Sequence, residues 1–152
     1  MLNKDFKEFV ELLNSTGVEY LIVGGYALAA HGHPRYTGDL DIWFRSSPPN
    51  VQKLLDVLAR FGFGGLGLKA DDFLKPESVV QLGYPPSRID LLTSIDGVDF
   101  DTGYAGRVVM NVGSVDLPII GVEEFRANKR TVGRAKDLAD LESLDDREEG
   151  QR

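Results

Sequence analysis

The sequence contains no cysteine among its 152 residues. Neither a disulfide framework nor a thiolate metal site is therefore possible. The sequence also lacks a long hydrophobic run, since its apolar stretches are far too short to cross a bilayer. Its first residues enter a charged amphipathic pattern and lack the apolar core of a signal peptide. These absences predict a cytoplasmic protein with no membrane partner.

Positive charge is scarce: 17 lysines and arginines face 24 aspartates and glutamates, which gives a formal net charge of −7. Because neutralisation of phosphates supplies most of the affinity for nucleic acid, such an acidic chain is not expected to grip a long DNA or RNA. A small phosphorylated ligand carried on metal ions remains compatible with this charge. One local basic cluster could steer either a triphosphate or the end of an RNA: Arg126, Lys129, Arg130, Arg134 and Lys136. We therefore expect a compact acceptor, such as a small molecule or a single exposed hydroxyl.

The length and the 42% hydrophobic content suit one domain with a real core. We place this domain at residues 1–144 and expect the polar tail, 145–152, to be frayed. Helical and strand periodicities predict an α/β protein with a mixed β-sheet flanked by helices. The predicted strands are 20–23, 39–44, 78–82, 88–93, 107–112 and 115–119. Five helices are predicted. The first contains Phe6 and ends near Gly17, the second spans 26–30, and the third begins at Ser47-Pro48 and stops at Gly62. The last two span 123–130 and 134–144, and a flexible loop is predicted at 61–67.

The segment from Asp39 to Phe44 alternates acidic and apolar side chains at its start. In a strand, Asp39 and Asp41 point to one face while Leu40 and Ile42 point to the other. Two neighbouring carboxylates repel each other, and burying them without a counter-charge is costly. A hard divalent cation such as Mg²⁺ or Mn²⁺ resolves both problems. The alternative is a pair of aspartates on an exposed strand edge.

A third carboxylate, Asp90, stands alone within the apolar strand Arg88-Ile89-Asp90-Leu91-Leu92. Beside Asp39 and Asp41 it would complete a two-metal site. The alternative is a structural role, either as an edge gatekeeper or as the salt-bridge partner of a residue such as Arg88.

The pair Gly24-Gly25 lies where a predicted strand meets a predicted helix. A helix N-terminus presents free backbone N–H groups, and glycine allows an anion to approach them closely. The pair could therefore bind phosphate, although a tight strand–helix turn explains the glycines equally well.

Taken in order, three segments resemble the DNA polymerase β-like nucleotidyltransferase superfamily. They are Val23-Gly24-Gly25-Tyr26-Ala27-Leu28 through His31-Gly32, Arg35-Tyr36-Thr37-Gly38-Asp39-Leu40-Asp41, and Arg88-Ile89-Asp90. The sequence is most similar to small bacterial members, the AbiEii-type toxin and lincosamide nucleotidyltransferase-like proteins. The resemblance extends from about Tyr20 to Asp140. The segment from Lys129 to Leu141 resembles the closing helix of this group, whose basic residues face the triphosphate.

The resemblance implies transfer of a nucleoside monophosphate from an NTP to an acceptor, with release of pyrophosphate. Asp39 and Asp41 would bind two Mg²⁺ or Mn²⁺ ions, and Asp90 would bind the catalytic ion and help to deprotonate the acceptor. Gly24 and Gly25 would hold the β- and γ-phosphates. Many family members have serine directly after the glycines, where this chain has Tyr26, so phosphate contacts would rest on backbone N–H groups with Arg35 or Lys136.

Two other functions remain open at this stage. The chain could be a non-catalytic nucleotidyltransferase-like partner in a toxin–antitoxin pair, or a metal-dependent hydrolase that uses the same carboxylates. His31 and His33 could serve as proton shuttles near neutral pH. We favour a structural role for both histidines, because an aspartate can act as the base in this chemistry.

Overall fold

A computed structural model describes residues 2–32 and 38–150 of the chain, with side chains up to residue 145. Seven α-helices and six β-strands are found in this part of the chain. The helices are α1 (Lys4–Thr16), α2 (Gly24–Ala30), α3 (Pro48–Leu58), α4 (Ala70–Leu74), α5 (Phe100–Ala105), α6 (Val122–Val132) and α7 (Ala135–Gly150). The strands are β1 (Tyr20–Val23), β2 (Asp39–Phe44), β3 (Val79–Leu82), β4 (Arg88–Leu92), β5 (Val108–Val112) and β6 (Val115–Ile119).

The strands form one mixed sheet in the order β3-β4-β2-β1-β6-β5. At its centre, β2 pairs in parallel with β4 and antiparallel with β1, and β1 runs parallel to β6. The outer strands β3 and β5 close the sheet as antiparallel partners of β4 and β6. The predicted mixed sheet flanked by helices is confirmed.

Different helices cover the two faces of β2. The ring of Phe44 packs edge-on against Phe73 of α4, with centroids 5.8 Å apart. On the opposite face, Trp43 packs against Phe100 of α5, with centroids 5.1 Å apart. Gly103 of α5 also lies against the indole, because a Cβ there would come within 2.8 Å of a ring carbon. Helix α5 therefore covers the Asp41 face of β2 at the end of the strand that carries Trp43.

Helix α1 shows how local signals set the element bounds. Asn3 caps the helix, since its side chain accepts a hydrogen bond of 2.8 Å from the backbone N–H of Phe6. Gly17 ends the helix in the left-handed conformation, with φ of 78°. The predicted helix end near Gly17 is thus correct.

Some local predictions were wrong. Ser47 precedes α3 as predicted, but its side chain makes no capping hydrogen bond. The segment predicted to be a flexible loop at 61–67 consists largely of irregular helical turns, Ala59–Phe63 and Gly64–Leu66. The short helices α4 and α5 were not predicted, and α7 continues to Gly150, beyond the predicted helix end at Leu144. In the described residues, no helix combines the length and apolarity that a membrane span requires.

Candidate active site

The three predicted carboxylates lie side by side on the two central strands. In the parallel register of β2 and β4, Asp41 is directly opposite Asp90, and Asp39 is opposite Arg88. Residues two apart on a strand share a face, so all four side chains project from the same side of the sheet. The side chain of Asp90 is 11% exposed and that of Asp39 is 33% exposed. The cluster is therefore partly buried, and Asp39 is more exposed than Asp90.

Asp41 experiences the electrostatic cost of this arrangement. Burial first, and then the neighbouring carboxylates of Asp90 and Asp39, together raise the pKa of Asp41 to about 7, against a smaller opposing effect of Arg88. A hydrogen bond between the carboxyl groups of Asp41 and Asp90 also favours the protonated form. Mutual repulsion and desolvation thus make this group hold its proton up to neutral pH.

Arg88 supplies positive charge to the cluster. Its Nη2 lies 2.7 Å from Oδ2 of Asp39 and 3.0 Å from Oδ2 of Asp90, and its Nε donates to Oδ1 of Asp90 at 3.1 Å. These bonds raise the pKa of Arg88, chiefly through its hydrogen bond to Asp90. The ion pair between Arg88 and Asp90 had been the structural alternative for Asp90, and the structure contains it.

Gly24 brings the start of α2 against the carboxylates. Val23 is opposite Asp41 in the antiparallel register of β1 and β2, so the chain turns into α2 directly beside Asp41. Gly24 has φ of 69°, and a Cβ there would overlap Oδ2 of Asp41 and lie 3.0 Å from its Cγ. Both the backbone conformation and the close approach require glycine. Gly25 follows in the same first helical turn and is partly exposed.

Tyr26, which replaces the serine of many resembling proteins, has a structural contact. Its ring packs edge-on against Phe6 of α1, with centroids 5.9 Å apart. His31 likewise contacts the backbone, since its Nε2 lies 2.6 Å from the carbonyl oxygen of Ile120. This contact supports the structural interpretation of His31. The predicted phosphate ligand Arg35 and the second histidine, His33, lie outside the described residues.

Asp41 and Asp90 line a cleft of about 710 Å³, whereas Asp39 is not among its lining residues. One wall is the sheet with Asp41 and Asp90, and Gly24 lies at the start of α2. The opposite wall is α6 and the turn after it, which contribute Lys129 and Arg134. Negative charge on the sheet therefore faces positive charge on the helix across the cleft.

A second cluster of charges holds α6 to α7. Nζ of Lys129 lies 3.1 Å from Oδ1 of Asp137 and 3.3 Å from Oδ2 of Asp140, and Nε of Arg134 lies 2.8 Å from Oδ2 of Asp137. Asp137 is 0% exposed and Asp140 is 3% exposed. Hydrogen bonds from Arg134 and Lys129 hold the pKa of Asp137 down to about 2, although burial opposes them.

Lys136, the predicted phosphate ligand on this segment, is exposed on α7. Among the described residues that line the cleft, the cations are Lys129 and Arg134. Both residues belong to the predicted basic cluster, but neither was predicted to have an individual role. The aspartates three and six positions after Arg134 were the available signal, because a buried lysine needs acidic partners.

The chemistry of Asp39, Asp41 and Asp90 suits a divalent cation, since hard carboxylate oxygens are the ligands that Mg²⁺ and Mn²⁺ prefer. Among the described residues, the three carboxylates share the single guanidinium of Arg88, and burial together with the neighbouring carboxylates raises the pKa of Asp41. In the described part of the chain, however, no three acidic, histidine or cysteine side chains are arranged as ready metal ligands. The oxygens of Asp90 and one oxygen of Asp39 are instead bonded to Arg88.

No model of a known protein family matches the sequence, and no curated protein matches it. Solved structures do match the fold. TM1012 of Thermotoga maritima, a candidate nucleotidyltransferase, is 12% identical, with a TM-score of 0.62 over 93% of this chain and 91% of that one. An antigenic nucleotidyltransferase-like protein of Paracoccidioides brasiliensis is 14% identical, with a TM-score of 0.59 over 94% of this chain and 75% of that one.

A third match is the lincosamide antibiotic adenylyltransferase LnuA with lincomycin bound. It is 14% identical, with a TM-score of 0.57 over 95% of this chain and 97% of that one. At these identities the likeness concerns the fold. The chain has the mixed α/β fold of the nucleotidyltransferases.

Proposed function

We propose that the protein is a metal-dependent nucleotidyltransferase that transfers NMP from an NTP to a compact acceptor. The observation that carries this proposal is the alignment of Asp39, Asp41 and Asp90 on one face of neighbouring strands within a nucleotidyltransferase fold. The raised pKa of Asp41 adds support, because strongly perturbed carboxyl groups in clefts are typical of functional sites.

Each residue has a role in this reaction. Asp39 and Asp41 would hold the divalent ions, and Asp90 would hold the catalytic ion and accept the proton of the acceptor hydroxyl. Ions bound there would supply Lewis acidity at the α-phosphate. The acceptor oxygen forms a bond to the α-phosphorus while the bond to the β-phosphate oxygen breaks and pyrophosphate leaves.

The phosphates are assigned to the start of α2 and to cations. Gly24 remains a predicted contact for the β- and γ-phosphates through its backbone N–H group, because the space that its side chain would fill is taken by the carboxylate of Asp41. Gly25 continues that surface, and Arg35 and Lys136 remain our predicted phosphate contacts from the sequence. Lys129 on the cleft wall is paired with Asp137 and Asp140, so of the two described cations Arg134, whose side chain is 69% exposed, supports a phosphate position opposite the sheet.

A compact acceptor agrees with the charge of the chain and with one structural neighbour. The net charge of −7 disfavours a long nucleic acid, and LnuA holds the small antibiotic lincomycin. The salt dependence of acceptor binding tests this choice. A log–log slope near −1 or −2 fits a compact contact, whereas an RNA held at many phosphates gives a steeper slope, about −0.7 per phosphate for a single strand.

The transfer itself is tested with MgCl₂ and each of the four NTPs labelled at the α-phosphate. Candidate acceptors are small hydroxylated molecules, tRNA and the protein itself. Asp41→Asn and Asp90→Asn should abolish transfer, whereas Asp56→Asn, on an exposed face of α3, should leave it intact. Label released only as free nucleotide would indicate a hydrolase and would overturn the proposal.

Ligand binding gives an independent test. A ligand that binds only the native state stabilises it by about 2.7 kcal/mol at a hundredfold excess over Kd. Thermal unfolding should therefore shift upward when MgCl₂ and an NTP are added together, and Asp41→Asn should remove most of this shift. A wild-type protein whose unfolding ignores every Mg-NTP would contradict the proposal.

A second candidate function has one observation in its favour. Because the guanidinium of Arg88 bonds both Asp39 and Asp90, the cluster has an internal cation and needs no metal to remain folded. This suits a non-catalytic nucleotidyltransferase-like partner of a toxin–antitoxin pair. Such a protein would show neither label transfer nor stabilisation by Mg-NTP in the experiments above.

A further inference from the structure

Arg88 occupies the carboxylate oxygens that the proposed function assigns to a metal. The guanidinium of Arg88 donates two hydrogen bonds to the two carboxylate oxygens of Asp90, at 3.1 and 3.0 Å. It also lies 2.7 Å from Oδ2 of Asp39. Paired bonds of this kind are the strongest that a carboxylate makes with a side chain. The Arg88 side chain is nevertheless 31% exposed, so it has room to leave the cluster.

The register of β2 and β4 fixes the backbone position of Arg88 beside the carboxylates. Arg88 is opposite Asp39 across the parallel pair β2 and β4, and it precedes Asp90 by two residues on the same strand. Both partners are thus fixed by the backbone on the face where the guanidinium lies. In the described residues, Arg88 is the cation in contact with this cluster.

A guanidinium and a divalent ion cannot hold the same oxygens together. Each needs the lone pairs of Asp90 and Asp39, and the two positive charges repel each other at contact distance. Without any cation, the three carboxylates would repel one another across adjacent strands, and the cost would fall on the central strand pair of the sheet. Arg88 lowers that cost in the metal-free protein.

We propose that Arg88 is a displaceable internal cation, which pairs with Asp39 and Asp90 until a divalent ion takes their oxygens. This inference rests on the proposed function, because it needs a metal site at these carboxylates. Arg88 is then a positioning residue: it holds the ligands on one face of the sheet before the ion arrives, and it weakens the binding of an ion that arrives alone. The cluster binds a divalent ion only by giving up its pairing with Arg88.

The test is the affinity for Mn²⁺ alone, measured by electron paramagnetic resonance at pH 8 without nucleotide. Arg88→Met should bind Mn²⁺ about tenfold more tightly than the wild type, since a tenfold change needs only about 1.4 kcal/mol of binding free energy. Arg60→Met is the matched control. Arg60 pairs with Asp56 on α3, so its removal changes the net charge equally but should leave Mn²⁺ binding unchanged.

A residue with only a structural role gives the opposite result, because its loss disorders the ligands and weakens Mn²⁺ binding. Unchanged or weaker binding by Arg88→Met, with Mn²⁺ bound by the wild type, overturns this inference and leaves the proposed function intact. If neither protein binds Mn²⁺, the inference falls, and the proposed function is decided by the experiments with MgCl₂ and NTP together. If only Arg88→Met binds Mn²⁺, the inference holds.

The wild-type protein provides a measurement that does not depend on the variant folding. The Nε–H group of Arg88 donates to Asp90, so its proton should exchange slowly with water in nuclear magnetic resonance spectra. Titration with MgCl₂ should move this resonance and accelerate its exchange, while the Nε–H resonance of Arg60 stays unchanged. An Arg88 resonance that keeps its position and its slow exchange when Mg²⁺ binds would overturn the inference.

Discussion

The protein contains two clusters of charged side chains that solve the same electrostatic problem differently. On β2 and β4, three carboxylates share Arg88, and the pKa of Asp41 rises to about 7. Between α6 and α7, two buried aspartates are matched by Lys129 and Arg134, and the pKa of Asp137 falls to about 2. Among the described residues, the first cluster has three carboxylates and one cation, whereas the second has two carboxylates and two cations.

The difference agrees with our proposal that the carboxylates on β2 and β4 form a site. A balanced buried network loses a great deal when one partner is removed, because the other charges are left without compensation. An unbalanced cluster has the opposite property, since removal of one like charge relieves repulsion. Excess charge of one sign is kept where a ligand of the other sign binds, and the carboxylates of the sheet fit that description.

The largest expected effect is on the balanced cluster. Lys129→Met leaves Asp137 and Asp140 buried without their shared cation, and breaking a buried ion pair in this way costs about 3–5 kcal/mol. Urea unfolding at pH 7, followed by circular dichroism, measures this loss.

Lys136→Met is the matched control, because Lys136 is exposed on α7. Such surface substitutions usually change stability by less than about 0.5 kcal/mol. Equal losses for the two variants would show that the network between α6 and α7 contributes nothing specific.

The next effect concerns the close approach of α2 to the carboxylates. Gly24→Ala places a methyl group against Oδ2 of Asp41 on a backbone with φ of 69°. A left-handed backbone costs a side-chain-bearing residue about 1–2 kcal/mol, and overpacking costs about 1–3 kcal/mol. We expect a total loss of about 3 kcal/mol in urea unfolding. Gly65→Ala, whose Cβ would meet nothing within 4 Å, should be nearly neutral, and comparable losses would contradict this account.

The third prediction tests the raised pKa of Asp41. The pKa of Asp41 is about 7 in the folded protein and about 3.9 in an unfolded chain. Between these values the folded state binds a proton that the unfolded state has lost, so its stability falls as the pH rises from about 4 to about 7. Asn carries no charge at any pH. Asp41→Asn should therefore stabilise the metal-free protein at pH 8 and give no such gain below about pH 4.

Each unit of pKa shift corresponds to about 1.4 kcal/mol. Water screens a partly exposed carboxylate, so we expect a gain of about 2 kcal/mol at pH 8 rather than the full sum. Thermal unfolding in EDTA across pH 4–8 measures the gain. Asp56→Asn, which removes an exposed partner of Arg60, should show no gain at any pH, and a loss of stability in Asp41→Asn at pH 8 would refute the excess of charge.

The smallest effect is expected at the exposed side of the balanced cluster. The Arg134 side chain is 69% exposed, although its Nε contacts Asp137 at 2.8 Å. Exposed ion pairs contribute about 0–1 kcal/mol, so Arg134→Met should cost well under the loss in Lys129→Met. Urea unfolding of both variants at pH 7 ranks them, and a reversed order would place the main charge compensation at Arg134.

The positions of the carboxylates could be predicted from the sequence because a strand has a fixed period. The alternation of side chains along a strand predicted that Asp39 and Asp41 share one face. The isolated position of Asp90 in a second apolar strand predicted that it lies beside them. The contact of Arg88 with Asp39 could not be predicted, since it depends on how two distant strands align. From the spacing of residues within β4, only the contact of Arg88 with Asp90 could be predicted.

The helical parts show a second limit of prediction. The left-handed turn at Gly133 sets how α7 returns along α6, and this return brings Asp137 and Asp140 to Lys129. No local pattern encodes that angle, so the exposed Lys136 was chosen in place of the buried Lys129. Helix α5 was missed because Gly103 disfavours a helix locally, although its close packing on Trp43 compensates.

The contact between Trp43 and α5 also gives the protein an optical probe. Trp43 is the single tryptophan of the chain, and it is 2% exposed. A shielded indole emits at shorter wavelength than one in water, so the emission maximum reports the folded state without any label. Because Trp43 follows Asp41 by two residues on the same face of β2, the same signal lies next to the carboxylates. Changes in emission during titration with a divalent ion or an NTP can therefore be followed at the candidate active site in the wild-type protein.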